Sequence, residues 1–431
     1  MSDAAHFEPR RLAASFVRRV MLAPVHLASR LGRRDPSFWL FGNQKGFRDS
    51  PRYLAEHIVE AHPEIEVRWV ARTEPEADAA RSAGLEVVIR GGPGSATLHR
   101  RAGVAFICHG LADVEAVHLG GAYLVHLFHG TALKRTGLDV DFVRFGGGAL
   151  RDRVFARMYR WSLARGWQIV RMFVAPGELA KPRYVSAFGV PPSRVRVLGS
   201  PRFDVIRGGP AYDRVAGPDL RATIGIGPGE QAVLWLPTWR ERGDAGWLPP
   251  LDGGLIRSTL EGTPLIVLVK PHPHSDPTVF RQRLPEDPRV RLLSEAKVDV
   301  NCLLHLADQL ITDYSSVAFD YAILGRPIHY LAPDIEEYGR GRDFYEPFEG
   351  LTRGRHHVGW ESLLPAVRSA ASDLDSDAHA LARDIAAHAR NADAPGSSER
   401  IVRAVAEAVR LSPPGASLAS ANEEPSASGV G

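Results

Sequence analysis

The feature that most constrains the fold is a regular alternation between short apolar runs and stretches of helical periodicity. A first series of this kind predicts seven strands, at Phe38–Gly42, Val67–Ala71, Glu86–Ile89, Val104–Cys108, Tyr123–Phe128, Met172–Ala175 and Val195–Leu198. Helical stretches lie between most of them. Strands that alternate with helices in this way predict a parallel sheet that is covered on both faces.

A second series of the same kind follows after a break. It predicts five more strands, at Ala232–Leu236, Leu265–Val269, Val290–Leu293, Gln309–Thr312 and Ile328–Leu331. The segment from Gly199 to Pro218 is rich in Gly, Pro and Arg, and we place the interdomain linker there. We therefore expect an α/β protein with two Rossmann-like domains, residues 36–200 and 201–411, that face a central cleft. Ligands then belong at the carboxyl ends of the strands.

The two ends of the chain have a different character. Residues 1–35 form a basic arm with seven arginines between positions 8 and 34, beside apolar residues that can share one helical face. This pattern suits an anionic membrane surface, although a helix packed on the domain would look similar. The longest apolar run of the arm, Val20–Ala28, is too short for a membrane span, and Arg18 and Arg19 interrupt the apolar stretch that a signal peptide would need. Residues 412–431 are rich in Ser, Ala, Pro and Gly, and we expect disorder there.

Overall composition excludes several classes of protein. The formal charge of +3 is too small to indicate a nucleic-acid partner. Only two cysteines occur, Cys108 and Cys302, so neither a disulfide framework nor a zinc–cysteine site is supported. No P-loop is present, and no dinucleotide-binding glycine motif follows the first strand, which argues against an ATPase and a dehydrogenase. We expect no metal and no cofactor.

The segment Ile311–Asp320 is the most informative candidate for substrate binding. It is predicted to be a strand end, a hydroxyl-rich turn and the start of a helix, where free N–H groups and hydroxyls can bind an anion. An ordinary serine cap is the alternative interpretation. The candidate substrate-binding residues of this segment are Thr312, Asp313, Ser315, Ser316 and Asp320.

Three more cationic candidates and a histidine lie near the same predicted edge. Lys270 and His272 follow the strand Leu265–Val269 in a loop that two prolines stiffen. A His-x-His metal pair or a solvated polar loop are the alternatives for this segment. Arg240 ends the first strand of the second series, and Arg202 lies at the domain junction. Each arginine can pair with a phosphate group.

The segment His126–Lys134 supplies the candidate for acid–base chemistry. His129 lies at a strand end that faces the predicted cleft, and histidine is a natural general base near neutral pH. Gly130 lets another group approach the backbone closely. We expect Thr131 and Lys134 to contact the substrate as well. A purely structural histidine is the alternative.

Taken in order, these segments resemble the CDP-glycerol glycerophosphotransferase family of teichoic-acid primases and polymerases. The matching segments are Phe41-Gly42 with Ser50–Leu54, His129–Lys134, Gly199–Arg202, Pro237–Arg240, Lys270–Pro273 and Ile311–Ser316. Three positions depart from the usual family pattern. Phe128 stands where Trp is common, Ala132 stands where Pro is usual, and Phe203 replaces Asn in an Arg-Asn-Asp motif.

The resemblance implies a GT-B fold and a specific reaction. An acceptor hydroxyl would attack the β-phosphorus of CDP-glycerol and release CMP. In the same comparison, His129 matches the general base, His272 a second essential histidine that holds the donor diphosphate, and Ser315 and Ser316 the phosphate cradle.

The resemblance also implies partners and a location. The acceptor would be a polymer or a polyprenyl-linked lipid, and the enzyme would lie in the cytoplasm at the inner face of the membrane, in contact through its N-terminal arm. The alternatives are a transferase for CDP-ribitol or another nucleotide-activated donor, a UDP-sugar epimerase of the same architecture, and a degenerate member that only binds nucleotide or polymer.

Overall fold

The computed structural model describes residues 24–140, 150–240, 243, 246–293, 298–341, 343–392 and 395–410. All twelve predicted strands are present within these residues, so that part of the prediction is confirmed. Most of the N-terminal arm and the whole C-terminal tail lie outside the described residues. The strands are β1 Asp35–Gly42, β2 Glu66–Ala71, β3 Glu86–Ile89, β4 Ala102–Ile107, β5 Tyr123–His126, β6 Val170–Ala175, β7 Val195–Val197, β8 Gln231–Leu236, β9 Leu265–Val269, β10 Val290–Leu292, β11 Gln309–Thr312 and β12 Ile328–Tyr330.

The strands form two separate parallel sheets. The first has the order β3-β2-β1-β4-β5-β6-β7 and the second has the order β10-β9-β8-β11-β12. In both sheets the chain starts in the middle, winds outward to one edge and then returns to wind toward the other. A crevice opens at the carboxyl ends of the strands where this direction reverses, between β1 and β4 and between β8 and β11. The predicted α/β fold with two Rossmann-like sheets is thus confirmed.

Helices cover both faces of each sheet. The α-helices are α1 Asp49–Ala61, α2 Glu74–Ser82, α3 Ser95–Arg101, α4 Leu150–Trp167, α5 Ala180–Phe188, α6 Pro201–Ile206, α7 Pro210–Ala216, α8 Leu220–Thr223, α9 Gly253–Leu260, α10 Pro277–Arg283, α11 Val300–Leu306, α12 Val317–Tyr321, α13 Ile335–Gly341, α14 Phe348–Thr352, α15 Trp360–Ala370, α16 Asp377–Ala389 and α17 Ser397–Ala408. Short 3₁₀ turns lie at Ser29–Leu31, Leu111–Asp113, Ala116–His118, Gly137–Asp139, Pro192–Arg194 and Ala322–Leu324. No helix among the described residues is long and apolar enough to cross a lipid bilayer.

Alternate residues of the central strands pack into cores on opposite faces of each sheet. In β1, Phe38 and Leu40 belong to one apolar cluster, while Trp39 and Phe41 belong to another. Strands buried on both faces become continuously apolar, because each face must be removed from water. This is why β1 and β8 appear in the sequence as unbroken hydrophobic runs.

One helix packs on a different sheet from the one expected. We predicted that the C-terminal helices extend the second domain, but Ile401, Val402 and Val405 of α17 lie in the core of the first sheet. Asp204 accepts hydrogen bonds from the first N–H groups of α17, including that of Ser397 at 2.8 Å. Helical periodicity identifies an apolar face, but it carries no information about which sheet will cover that face.

Direct contacts join the two halves below the cleft. The Tyr53 hydroxyl of α1 donates to the Asp299 carboxylate at 2.7 Å and accepts from the Asn301 side-chain amide at 2.8 Å, next to α11. Tyr53 and Leu133 also belong to the apolar cluster around the second sheet. The loops after the strands of both sheets are therefore held near one another.

Candidate functional site

The loop after β5 presents His129 through a constrained turn. Gly130 has a φ of 112°, which disfavours any residue with a side chain, and Phe128 has a φ of 52°. The Tyr184 hydroxyl of α5 donates a hydrogen bond of 2.6 Å to the Gly130 carbonyl oxygen. The His129 ring is solvent-exposed and stacks on His109, with 5.0 Å between ring centroids and an interplanar angle of 9°. The turn thus presents an imidazole at an accessible surface.

The surroundings of His129 favour its neutral form. Desolvation lowers the pKa of His129 well below 6.5, although the residue is open to solvent. The neighbouring His109 and the Arg202 cation act in the same direction. A neutral imidazole can accept a proton, so His129 is in the form that a general base requires.

Arg202 connects this turn to the second half of the chain. It lies in α6, directly after β7, and its Nη2 atom is 2.9 Å from Oδ2 of Asp320 in α12. Its Nε atom is 3.5 Å from Asp49 at the start of α1. A β-carbon on Gly130 would overlap Arg202 Nη2 and lie 3.4 Å from Asp320 Oδ2. Gly130, Arg202 and Asp320 therefore form one close-packed junction.

The charges of this junction are deeply buried. Desolvation raises the pKa of Asp320 to about 6, even though the Arg202 cation opposes the shift. Desolvation alone would lower the pKa of Arg202, but Asp320 and Asp49 outweigh it and the pKa is raised. Nε and Nη2 of Arg202 make no hydrogen bond of good geometry with any described residue. The guanidinium therefore retains donor capacity for an anion.

The residues after Gly130 attach to the second half of the chain. Lys134 pairs in a short antiparallel bridge with Phe344, and its ammonium group lies 5.1 Å from the Tyr338 ring centroid. Arg183 donates to the Ala132 carbonyl oxygen at 2.6 Å and pairs with Glu346, also at 2.6 Å. Lys134 thus has a structural contact that its sequence position did not suggest.

Thr131 occupies a different environment from Lys134. Its side chain is buried, and Oγ1 makes no hydrogen bond within the described part of the chain. A buried hydroxyl without a hydrogen bond is unfavourable, so a ligand that bonded to Thr131 Oγ1 would remove this cost. Thr131 is therefore a candidate ligand contact beside the turn.

In the second sheet, the predicted basic loop follows β9. Lys270 is half-buried and donates from Nζ to the Leu293 carbonyl oxygen at 2.9 Å, and desolvation lowers its pKa. His272 is exposed, and its Nδ1 lies 3.2 Å from the backbone nitrogen of His274. Because Nδ1 accepts that N–H, the neutral ring carries its proton on Nε2. His272 can therefore donate a hydrogen bond from Nε2.

The hydroxyl-rich turn follows β11, beside β8 at the middle of the second sheet. Ser315 Oγ accepts from the Val317 backbone nitrogen at 3.3 Å, while Ser316 makes no side-chain cap bond to α12. Both serines are partly buried. The carboxyl ends of β9 and β11 lie on the same edge, since both strands pair in parallel with β8.

Three of the predicted substrate contacts are engaged inside the protein. Arg240 is buried, with Nε 2.9 Å from Asp334 and Nη2 3.0 Å from Asp313. Asp313 also accepts from the Thr238 backbone nitrogen at 3.0 Å, and Thr312 donates to the Leu236 carbonyl oxygen at 3.0 Å. These contacts hold β8 to β11 and the loops after them, and substrate binding by Arg240, Asp313 and Thr312 stays a prediction.

Sequence reasoning missed three residues of the first sheet that adjoin the junction, Asp49, His109 and Tyr184. His109 follows β4 as His129 follows β5, so the same strand-end criterion would have found it. Asp49 is in the left-handed region, with a φ of 62°, at the start of α1. Tyr184 gives no sequence signal, because its partner is the backbone of a distant loop.

Comparison with known proteins gives a family match over most of the chain. The family model described as CDP-Glycerol:Poly(glycerophosphate) glycerophosphotransferase matches residues 24–407. The teichoic acid ribitol-phosphate primase of Bacillus spizizenii is 31% identical over 222 residues, which are 50% of this chain and 52% of that protein. The teichoic acid ribitol-phosphate polymerase TarK of Staphylococcus aureus is 28% identical over 250 residues, or 57% of this chain and 45% of that protein.

A third relative matches over a longer part of this chain than these two do. The teichoic acid poly(glycerol phosphate) polymerase of Bacillus subtilis is 24% identical over 338 residues, or 77% of this chain and 43% of that protein. The chain thus spans about half the length of the curated relatives that it matches.

Solved structures with the same fold include the wall teichoic acid polymerase TagF. It superposes with a TM-score of 0.70 at 21% identity, over 93% of this chain and 98% of that chain. The complex of Staphylococcus aureus MnaA with UDP superposes with a TM-score of 0.53 at 13% identity, over 88% of this chain and 97% of that one. These similarities establish the GT-B arrangement of the two sheets.

Proposed function

The chain belongs to the CDP-glycerol:poly(glycerophosphate) glycerophosphotransferase family, and on that premise we propose that it transfers glycerol phosphate from CDP-glycerol to a hydroxyl group of a lipid-linked or polymer acceptor. One observation carries the proposal. The turn at His129 and Gly130 exposes a neutral imidazole directly beside Arg202 and Asp320, which belong to the other half of the molecule. A catalytic base and a buried cation thus adjoin the cleft between the sheets.

His129 acts as the general base in this proposal. It accepts the proton of the acceptor hydroxyl while that oxygen forms a bond to the β-phosphorus of the donor. The bond between this phosphorus and the bridging oxygen breaks, and CMP leaves with that oxygen and its negative charge. A base in this role contributes roughly 10²–10⁴-fold to the rate. The turn at Gly130 supplies the positional precision that the transfer requires.

Groups from both halves hold the donor diphosphate. Ser315, Ser316 and His272 supply hydroxyl and imidazole donors at the carboxyl edge of the second sheet, and Lys270 contributes a cation there. Arg202 and Arg240 are the arginine candidates, and each is paired with two carboxylates; Arg202 is the one that adjoins the turn at Gly130. Thr131 is a further donor beside the turn.

CDP-ribitol is the second candidate donor. Two of the relatives described above are named ribitol-phosphate enzymes, and one is a poly(glycerol phosphate) polymerase. The proposed roles of His129 and His272 concern the diphosphate and the acceptor hydroxyl, so they are the same for either polyol.

A peripheral contact with the inner face of the membrane accompanies the proposed activity. Val154, Met158 and Trp161 are spaced along one face of α4 and are 51%, 47% and 54% exposed. Exposed arginines flank them at positions 153, 157, 160 and 165. Apolar side chains beside cations on one helix suit an interface with anionic lipid. The arm proposed for this role lies, up to residue 23, outside the described residues.

CMP release in the presence of a lipid-linked acceptor tests the proposed activity. CDP-glycerol, CDP-ribitol and other CDP-activated polyols would each be supplied to the wild type, His129→Ala and His272→Ala. We expect CMP from at least one CDP-polyol with the wild type and a loss of about 10²-fold or more in His129→Ala. Absence of CMP with every CDP-polyol would contradict the proposal, and full activity in His129→Ala would remove the base role.

A further inference from the structure

Three side chains with metal-binding atoms meet behind the first sheet, where α17 packs on α1. The atoms are Nε2 of His57, Nε2 of His62 and Oε2 of Glu399, and they all lie within 4.8 Å of one another. Glu399 Oε2 is 2.8 Å from His62 Nε2 and 3.4 Å from His57 Nε2. The cluster is distant in sequence from both histidines of the candidate active site, and the proposed transfer does not use it.

His62 has a carboxylate at each of its two ring nitrogens. Nδ1 lies 3.2 Å from Oε1 of Glu64, and Nε2 lies 2.8 Å from Oε2 of Glu399. A neutral imidazole has only one N–H group, so it can donate to only one of these oxygens. If Nδ1 donates to Glu64, the lone pair on Nε2 points toward the Glu399 carboxylate, which is unfavourable. A positive charge between Nε2 and Glu399 Oε2 removes this repulsion.

The second histidine supplies the third potential ligand atom. His57 Nε2 approaches the same Glu399 oxygen, so two imidazoles converge on one carboxylate atom. One divalent ion would be a partner for all three atoms at once.

We propose that His57, His62 and Glu399 form a binding site for a divalent transition-metal ion of the zinc class. Imidazole nitrogen with one carboxylate oxygen suits such ions, whereas magnesium and calcium prefer oxygen ligands throughout. The side chains of His57 and Glu399 are 26% and 29% exposed, so the ion can enter from solvent and keep water as a further ligand.

Two neighbouring side chains, Glu64 and Arg403, orient His62 and Glu399. Glu64 lies at Nδ1 of His62, the position where a carboxylate commonly orients a metal-binding histidine. Arg403 holds the other oxygen of Glu399 at 2.6 Å, which leaves Oε2 for the ion.

The ion would link two elements that support the candidate active site. It would tie α17 to α1, the helix that begins at Asp49. Asp204, which lies two residues after Arg202, accepts hydrogen bonds from the backbone N–H groups of Ser397 and Ser398 at the start of α17. The site is thus structural and stabilises the packing behind the cleft, without contact with the reacting groups.

Calorimetric titration of the full chain with zinc chloride, after treatment with a chelator, tests the proposal at pH 7.5. We expect one equivalent to bind and the Tm to rise. Glu399→Gln and His62→Asn should each abolish binding, and Glu64→Gln should weaken it by about 10–100-fold. His388→Asn is the matched control, because His388 lies 2.8 Å from Glu346 and no second imidazole of the described residues contacts that carboxylate oxygen. That variant should bind zinc as the wild type does.

Cobalt(II) gives a second measurement that does not depend on stability. Binding should produce a visible absorption band in the wild type and in His388→Asn, and no band in Glu399→Gln. The proposal is overturned if excess zinc gives neither heat nor a change in Tm, or if binding survives in the His62→Asn, Glu399→Gln double variant. A zinc-independent loss of stability as the imidazoles deprotonate would identify a proton as the bridging charge instead.

Discussion

Nη2 of Arg202 lies 2.9 Å from Oδ2 of Asp320, and this ion pair closes over the α-carbon of Gly130. The pair comes from α6 and α12 in the second half of the molecule, and it packs against the loop after β5, in the first half, at the turn that presents His129. Its geometry leaves no space for a side chain on Gly130. The position of the proposed base and the packing of the two sheets are therefore linked at one point.

Gly130→Ala should disrupt transfer more than it disrupts folding. The new β-carbon would overlap the Arg202 guanidinium at a φ of 112°, so the turn and His129 must shift. Since displacement of about 1 Å can lower a rate by about 10²-fold, we expect a loss of that order in CMP release. Gly217→Ala is the control, because Gly217 has a φ of 69° but open space around it. Equal activity in the two variants would contradict the steric account.

Asp320 should make the stability of the protein depend on pH. Its pKa is raised from 3.8 to about 6, chiefly by desolvation, so the folded state binds more protons than the unfolded state between these values. Its contribution to the free energy of unfolding should therefore fall as pH rises from about 4 to 6, by about 3 kcal/mol in total.

Urea denaturation at several pH values, with Asp320→Asn for comparison, measures this contribution. The variant does not titrate at this position, so the wild type should lose stability relative to it across the same interval. A constant difference between the two proteins from pH 4 to 7 would show that the Asp320 pKa is not raised.

Much of this architecture was predictable from sequence, but the site was predictable only in part. All twelve strands follow from local hydrophobic patterns, and residues at strand ends such as His129 and His272 follow from the rule that parallel strands share a carboxyl edge. The pairing of Arg240 with Asp313 was not predicted, because it depends on which side chains meet across β8 and β11. Pairing between distant residues has no local signal, and for the same reason α17 was assigned to the wrong sheet.

The rate of transfer should remain high at pH values below 6.5. Desolvation, then His109 and Arg202, lower the pKa of His129, so the ring stays neutral and able to accept a proton to lower pH than an ordinary histidine. His109→Gln removes one of these causes and should move the acidic limb of the pH–kcat profile upward. His118→Gln, which changes a ring beside Glu115, should leave the limb unchanged. An unmoved limb in His109→Gln would exclude coupling between the stacked rings.

The exposed apolar face of α4 should determine binding to lipid vesicles. Met158→Asp with Trp161→Asp places charge on a face where Met158 and Trp161 are about half exposed, so folding should be preserved while sedimentation with anionic vesicles falls. Leu374→Asp alters an apolar side chain that is 74% exposed elsewhere on the surface and is the control. Binding of the double variant equal to that of wild type would exclude α4, and deletion of residues 1–23 would then test the arm separately.

Arg240 should affect stability before it affects donor binding. Its guanidinium lies between Asp313 and Asp334. Desolvation would lower the pKa of Arg240, but the two carboxylates outweigh it and raise the pKa. The Cζ atom of Arg240 is 4.0 Å from the Trp247 ring centroid. Arg240→Leu leaves two carboxylates without their cation, and removal of one partner of a buried ion pair lowers stability by about 3–5 kcal/mol.

Lysine variants of Arg240 and Arg202 test whether the two arginines, which the sequence analysis both assigned to phosphate binding, have different roles. Arg240→Lys keeps the charge but loses the paired contacts with Asp334, so the urea midpoint should fall while the KM for CDP-glycerol changes little in protein that is still folded. Arg202→Lys should lower the midpoint as well, because its pair with the buried Asp320 is weakened, and should also raise the KM, because Arg202 adjoins the turn that presents His129. If Arg240→Lys raised KM tenfold or more with an unchanged midpoint, Arg240 would be a donor ligand after all, and its pairing with Asp313 would have to open when the diphosphate binds.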